Sequence, residues 1–203
     1  MQYGFYFDSA RCTGCKTCML ACKDYKDLGA DVSFRKVFDY EGGAWAMENG
    51  AWRQDAFMYH LSISCNHCGN PVCVHVCPTG AMHKDEHGLV LVDTHVCVGC
   101  GYCELSCPYG APKVSEDTRQ STKCDGCVER ILEGLDPICV RACPMRALDF
   151  GEISGFRQKA SVVNSIAPMP DPVHTSPNIV IRPCPAAREP GDLTGHVANE
   201  KEV

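Results

Sequence analysis

Sixteen of the seventeen cysteines stand in four blocks of four: Cys12-Cys15-Cys18-Cys22, Cys65-Cys68-Cys73-Cys77, Cys97-Cys100-Cys103-Cys107 and Cys124-Cys127-Cys139-Cys143. The first and third follow C-x2-C-x2-C-x3-C; the second widens the middle gap to four residues and the fourth widens it to eleven. Thiolates are soft, anionic donors suited to iron and zinc. Three cysteines at i, i+3 and i+6 fit three corners of a [4Fe–4S] cubane, and proline after the last cysteine (Pro78, Pro108, Pro144) belongs to the same ligand run. The blocks predict four [4Fe–4S] clusters, and a chain that lines up four one-electron centres is most simply a conductor.

In the ferredoxin run the first three cysteines bind one cluster and the fourth reaches across to its neighbour. Between the second and third blocks, Ala81–Lys84 and Leu89–Val92 read as two short strands around Asp85-Glu86-His87-Gly88. Cluster loop, hairpin, cluster loop makes residues 65–107 an inner two-cluster unit. One cluster takes Cys65, Cys68, Cys73 and Cys107; its neighbour takes Cys97, Cys100, Cys103 and Cys77. The first and last blocks then form an outer unit, residues 1–64 and 108–153, pairing Cys12, Cys15 and Cys18 with Cys143, and Cys124, Cys127 and Cys139 with Cys22. Spacing alone does not force this pairing; the hairpin argues for it. The expected fold is α+β: two ferredoxin-like units, one nested in the other, with residues 154–203 as an extended C-terminal arm.

Zinc is the main rival, because C-x2-C pairs suit a zinc-stabilised structural module. A zinc site commonly uses two separated pairs, which these triplets do not resemble. Disulfides suit secreted chains, but the start, MQYGFYFDSARCTGC, lacks the basic and apolar regions of a secretory signal. No block lacks a cysteine, so neither a [3Fe–4S] site nor an open ligand position for substrate is expected. Cys184 stands apart as a plain thiol. His67 and His75 read as surface residues, and Tyr102 and Tyr109 as rings packed over a cluster.

The positioning elements follow from periodicity. Residues 3–7, 34–38 and 57–63 read as strands, and 19–27 as a short helix. Residues 41–52 read as a Gly-rich, Trp-containing loop. Residues 128–138 look helical, with Val128, Ile131, Leu132 and Leu135 on one face and Pro137 ending or restarting the helix. After residue 154 prolines accumulate; 177–181 reads as one strand and the rest as irregular chain fit to lie on a partner. With so much cysteine, folding is expected to depend on cluster insertion. The net charge of −6 disfavours a nucleic-acid binder. No apolar run reaches membrane-spanning length. Lys16, Lys23, Lys123, Arg130, Arg141 and Arg146 lie near the blocks and could offset the negative charge of the clusters.

The segments between the cysteines are more specific than the blocks. CTGCKTC followed by ACKDYKDL, SISCNHCGNP, CPTGAMHK, CPYGAP, TKCDGC, PICV, CPMRALDFG, PNIVI and TGHVANEKEV cover nearly the whole sequence. In these it closely resembles the iron–sulfur electron-transfer subunits of bacterial dimethyl sulfoxide reductases. The resemblance implies four [4Fe–4S] clusters, the nested pairing and no catalytic site. It also implies two partners: an integral membrane anchor that oxidises menaquinol, and a catalytic subunit with a molybdenum bis-pterin cofactor that reduces dimethyl sulfoxide or a related S- or N-oxide in anaerobic respiration. The protein would sit peripherally on the bacterial inner membrane through those partners. Similar subunits serve selenate reductase and formate dehydrogenase, and the terminal substrate is not chosen by this subunit.

Overall fold

The computed structural model describes residues 1–203. Its first half contains β1 (Tyr3–Asp8), α1 (Thr17–Tyr25), β2 (Lys36–Gly42), β3 (Trp45–Glu48), β4 (Ala51–Gln54), β5 (Phe57–Ile63), α2 (Val72–His75), β6 (Met82–Lys84) and β7 (Val90–Val92). The second half adds α3 (Tyr102–Ser106), β8 (Lys113–Val114), β9 (Ser121–Thr122), α4 (Val128–Leu132), α5 (Ile138–Arg141), β10 (Leu148–Glu152), α6 (Ile153–Arg157), β11 (Ile179–Arg182) and β12 (Gly195–Val197). The helices are too short to be stable alone; the sheets and cysteine loops hold them.

Two three-stranded sheets carry the framework. In the first, β1 lies between β10, antiparallel with Phe5 opposite Phe150, and β11, parallel with Phe5 opposite Ile179. In the second, β2 lies between β5 and β12, both antiparallel. The strands' apolar faces meet in one core that includes Phe5, Phe7, Val37, Leu61, Ile63, Ile179 and Ile181. Burying such side chains stabilises the fold by roughly 1.5–3 kcal/mol each. Six cysteines, Cys18, Cys22, Cys65, Cys124, Cys139 and Cys143, belong to that same core. A smaller cluster of Met82, Val90 and Cys103 lies under the β6–β7 hairpin. Helix α1 packs on α5, and α2 packs on α3.

The strands at 3–7, 57–63 and 177–181 and the hairpin between the middle blocks lie where the sequence predicts them, within two residues. Four segments differ. Strand β2 begins at Lys36, and Arg35 before it is buried. Residues 45–54 form a hairpin, because Asn49 and Gly50 both take positive φ, 51° and 79°, as a two-residue reverse turn requires. The helix in the fourth block stops at Leu132, and Leu132 and Leu135 are exposed, so they form no core face. Residues after 154 are no extended arm on this structure. Ile166, Met169, Ile179 and Ile181 are buried in the main core, and β11 and β12 complete both sheets. Their apolar residues are few but cluster in short strands, which overall composition hides.

Candidate metal centres

Each cysteine loop needs the backbone to reverse within two residues. In the first block Gly14 does so at φ 65°, and a Cβ there would lie 2.5 Å from the His60 ring. In the third, Gly99 takes φ 67° with its virtual Cβ 2.0 Å from the Arg119 carbonyl oxygen. Only glycine tolerates both demands. The second block departs from this rule, since His67 occupies the same position at φ 43°.

The folded loops bring the sulfurs together in four sets. Cys12, Cys15, Cys18 and Cys143 line one apolar hollow with about 320 Å³ of empty space, its mouth included. Cys77, Cys97, Cys100 and Cys103 line a second, of about 340 Å³. Cys22 faces Cys124, Cys139 and Cys127, and burial together with these neighbours raises its thiol far above the usual range. Cys68 faces Cys65, Cys107 and Cys73, and burial pushes it up to about 12. In every set the fourth cysteine of one block stands with the first three of another. The sets also follow one another in a row, near enough for their charges to interact. Cys18 faces Cys139, Cys124 faces Cys65, and Cys73 faces Cys103.

Burial pushes Cys12 up to about 11 and Cys73 and Cys127 up to about 12. Thiols held this way do not ionise in neutral solution unless a metal takes the proton's place. Backbone N–H groups already point at several sulfurs: Ala147 donates to Cys143 at 3.3 Å, and Met82, Ser121 and Gly126 donate to Cys77, Cys97 and Cys124 at 3.4 Å. The Ser121 hydroxyl lies 3.2 Å from Cys103 Sγ, and that of Ser62 lies 3.4 Å from Cys18 Sγ. Such bonds tune iron–sulfur potentials. No disulfide joins any of the seventeen cysteines. No three His, Cys, Asp or Glu side chains converge tightly enough to hold a single metal ion. Buried nitrogens without partners, Arg35 Nε, Asn66 Nδ2 and His67 Nε2, lie in or beside the cysteine loops. Each is a donor awaiting an acceptor there, which the sulfides and thiolates of a [4Fe–4S] cluster supply. The donor sets therefore fit such clusters.

Basic and polar residues around the sulfurs divide in ways composition does not reveal. Lys123 is buried and donates to the carbonyls of Val90 and Cys124, at the latter across 2.9 Å. His67 is fully buried, contrary to the surface position expected for it; its Nδ1 accepts from the Val90 N–H at 2.9 Å, and burial holds the ring well below its ordinary pKa. Tyr109 packs beside Cys68 and Cys107, hydrogen-bonds Thr175 at 2.7 Å, and is pushed by burial up to about 12. Tyr102, by contrast, is exposed. Cys184 is half-buried against the core and joins none of the four sets. Sequence reasoning missed Arg35 because nothing marks it as internal: it falls within an alternating FRKVF run.

Of all the cysteines, Cys15 and Cys100 alone are exposed. They belong to the first and last sets of the row. Around Cys100, Val96, Val98, Tyr102 and Leu105 are exposed, Leu105 at 84%. Near Cys15, Leu20 and Met145 are exposed. No helix is long and apolar enough to cross a membrane.

Comparison with known proteins agrees with this inventory. Residues 56–153 match the 4Fe-4S dicluster domain family, and residues 9–26 match a 4Fe-4S binding domain. The sequence is 58% identical over 202 residues to the B subunit of the anaerobic dimethyl sulfoxide reductase of Escherichia coli K12, covering 100% of this protein and 98% of the relative. The B subunit from Haemophilus influenzae is 54% identical over 203 residues, covering 100% and 99%. The thiosulfate reductase electron transfer subunit of Salmonella typhi is 38% identical over 153 residues, covering 75% and 77%.

Proposed function

Because this protein belongs to the family of iron–sulfur electron-transfer subunits of molybdoenzyme reductases that includes the B subunit of anaerobic dimethyl sulfoxide reductase, we propose that it carries four [4Fe–4S] clusters in a row between two partners. When bound, each cluster supplies a one-electron couple. The protein itself is a non-catalytic subunit of a reductase complex. Its part is to hold the sulfurs, keep water from the middle of the row and leave the two ends accessible.

The observation that carries this proposal is the contrast between ends and middle. Each terminal set has one exposed cysteine, Cys15 or Cys100, beside buried ones, whereas the middle sets have none: Cys22, Cys124, Cys127, Cys139 and Cys65 are buried, and Cys68, Cys73 and Cys107 are half-buried. A conductor needs insulated interior centres and exposed terminal ones. The ligand sets are those the sulfurs form: Cys12, Cys15, Cys18 and Cys143; Cys124, Cys127, Cys139 and Cys22; Cys65, Cys68, Cys73 and Cys107; Cys97, Cys100, Cys103 and Cys77. The packing of α1 on α5 and of α2 on α3 supports an outer unit (1–64 and 108–153) around an inner one (65–107).

Apolar rims at both ends suit protein partners. One is a molybdenum bis-pterin catalytic subunit that reduces dimethyl sulfoxide or a related S- or N-oxide, as the relatives' names suggest. The other is an integral membrane anchor that oxidises menaquinol, so the protein is peripheral on the inner membrane. Metal analysis of the purified complex tests the proposal. About sixteen iron atoms per copy of this subunit with matching acid-labile sulfide are expected; stoichiometric zinc without sulfide would overturn it.

A further inference from the structure

Arg35 is 1% exposed, beside the first two sets of the sulfur row. Its guanidinium donates to the Ser62 hydroxyl at 3.1 Å and the Ser64 hydroxyl at 3.0 Å, and its Cζ lies 4.5 Å from the centre of the Phe5 ring. Ser62 in turn lies 3.4 Å from Cys18 Sγ. Nε has no partner. Leaving a buried cation without counter-charge is costly, yet no ion pair in the protein includes Arg35. An arginine stays protonated in proteins, and the sulfurs nearest its charge are those of Cys139, Cys18, Cys124 and Cys22. Cys18 belongs to one outer set, and Cys22, Cys124 and Cys139 belong to the other.

We propose that Arg35 is a fixed positive charge shared by the two outer clusters, raising the reduction potentials of both relative to the inner pair. This rests on the four-cluster proposal above. Reduction adds one negative charge to a cluster, so a buried cation beside its thiolates favours the reduced state. Low local dielectric makes that preference stronger than a surface charge would. Arg35 is a positioning and tuning residue: it reaches the sulfur of Cys18 through the Ser62 hydroxyl and acts on electron transfer through its charge.

The test is redox titration of the intact complex by EPR, with signals assigned by those lost in single-cysteine variants. Arg35→Gln keeps hydrogen-bonding capacity but removes the charge. Its expected effect is at least a tenfold shift of the reduction equilibrium toward the oxidised state in both outer clusters, about 59 mV for one electron, with the inner pair unmoved. Unchanged potentials at full iron content, or an equal shift in all four, would overturn the proposal. If Arg35→Gln loses iron, Arg35→Lys decides. A charge role predicts that lysine restores the iron and keeps the outer potentials near their parental values. A purely structural role, resting on the fork to Ser62 and Ser64, predicts that lysine fails as glutamine does. Iron content of the unmodified complex separately tests the cluster count, so failure there is distinguishable from failure of the arginine's role.

Discussion

The backbone N–H of Asp39 donates to the side-chain oxygen of Asn199 across 2.8 Å, joining residues 160 apart in sequence. The amide nitrogen of the same side chain donates to the Val37 carbonyl, also at 2.8 Å, and Asn199 is nearly buried. Beside it Ala198 N–H donates to the Asp39 carbonyl, and Lys16, next to the exposed Cys15, pairs with both Asp39 and Glu202. The C-terminus thus closes the open edge of β2 and reaches the first cysteine loop.

Asn199→Ala should therefore loosen this edge without emptying the clusters. Each buried partner left unpaired costs about 1–3 kcal/mol. Exchange of the Asp39 and Ala198 amide hydrogens should accelerate roughly ten- to a hundredfold, at unchanged iron content. Equal exchange in the variant and the parent would show that β12 is held by other contacts.

Gly14→Ala should damage the first loop selectively. The left-handed conformation costs a non-glycine residue about 1–2 kcal/mol, and the new methyl meets the His60 ring, which is itself held by Asp39 at 2.7 Å. Loss of the EPR signal that Cys12→Ser also removes, with the other signals retained, is the expected outcome. A variant with all signals and parental thermal stability would mean that the loop can shift away from His60.

Crossed ligation makes an unusual claim about Cys107. It stands with Cys68 and Cys73, not with the other cysteines of its own block. Cys107→Ser should abolish the signal that Cys68→Ser abolishes and spare the one that Cys100→Ser abolishes. The reverse pattern would exclude the crossing.

Much of this is legible in the sequence because ligand spacing is a local property. The triplets at i, i+3 and i+6 and the turn at Asp85–Gly88 are written within a few residues of one another. Long-range pairings are not. That β11 lies parallel to β1 depends on Ile179 meeting Phe5, a contact without local signature. The β3–β4 hairpin is readable in principle, since Asn49-Gly50 is a strong turn signal; the surrounding tryptophans and glycines mask it. His67 misleads because histidine is usually exposed, whereas here the loop's need for positive φ and the Val90 N–H draw it inside.

Assembly should depend on pH through the buried thiols. In the folded protein, burial disfavours the thiolate and pushes Cys12 up to about 11 and Cys68, Cys73 and Cys127 up to about 12. At neutral pH these four are protonated, and iron must displace the protons to bind. A raised pKa means that the thiolate fraction grows about tenfold per pH unit throughout the range below it. Reconstitution of the iron-depleted protein with ferrous iron and sulfide should therefore become more complete from pH 7 to pH 9, releasing protons as it proceeds. The sign reverses on acidification, where protons compete for the same sulfurs and the clusters should be lost. Absorbance of the reconstituted clusters and proton release in weak buffer measure both. Uptake independent of pH over this range would mean that the sulfurs are already ionised before iron arrives, for which the buried cations Arg35 and Lys123 would be the first residues to examine by substitution.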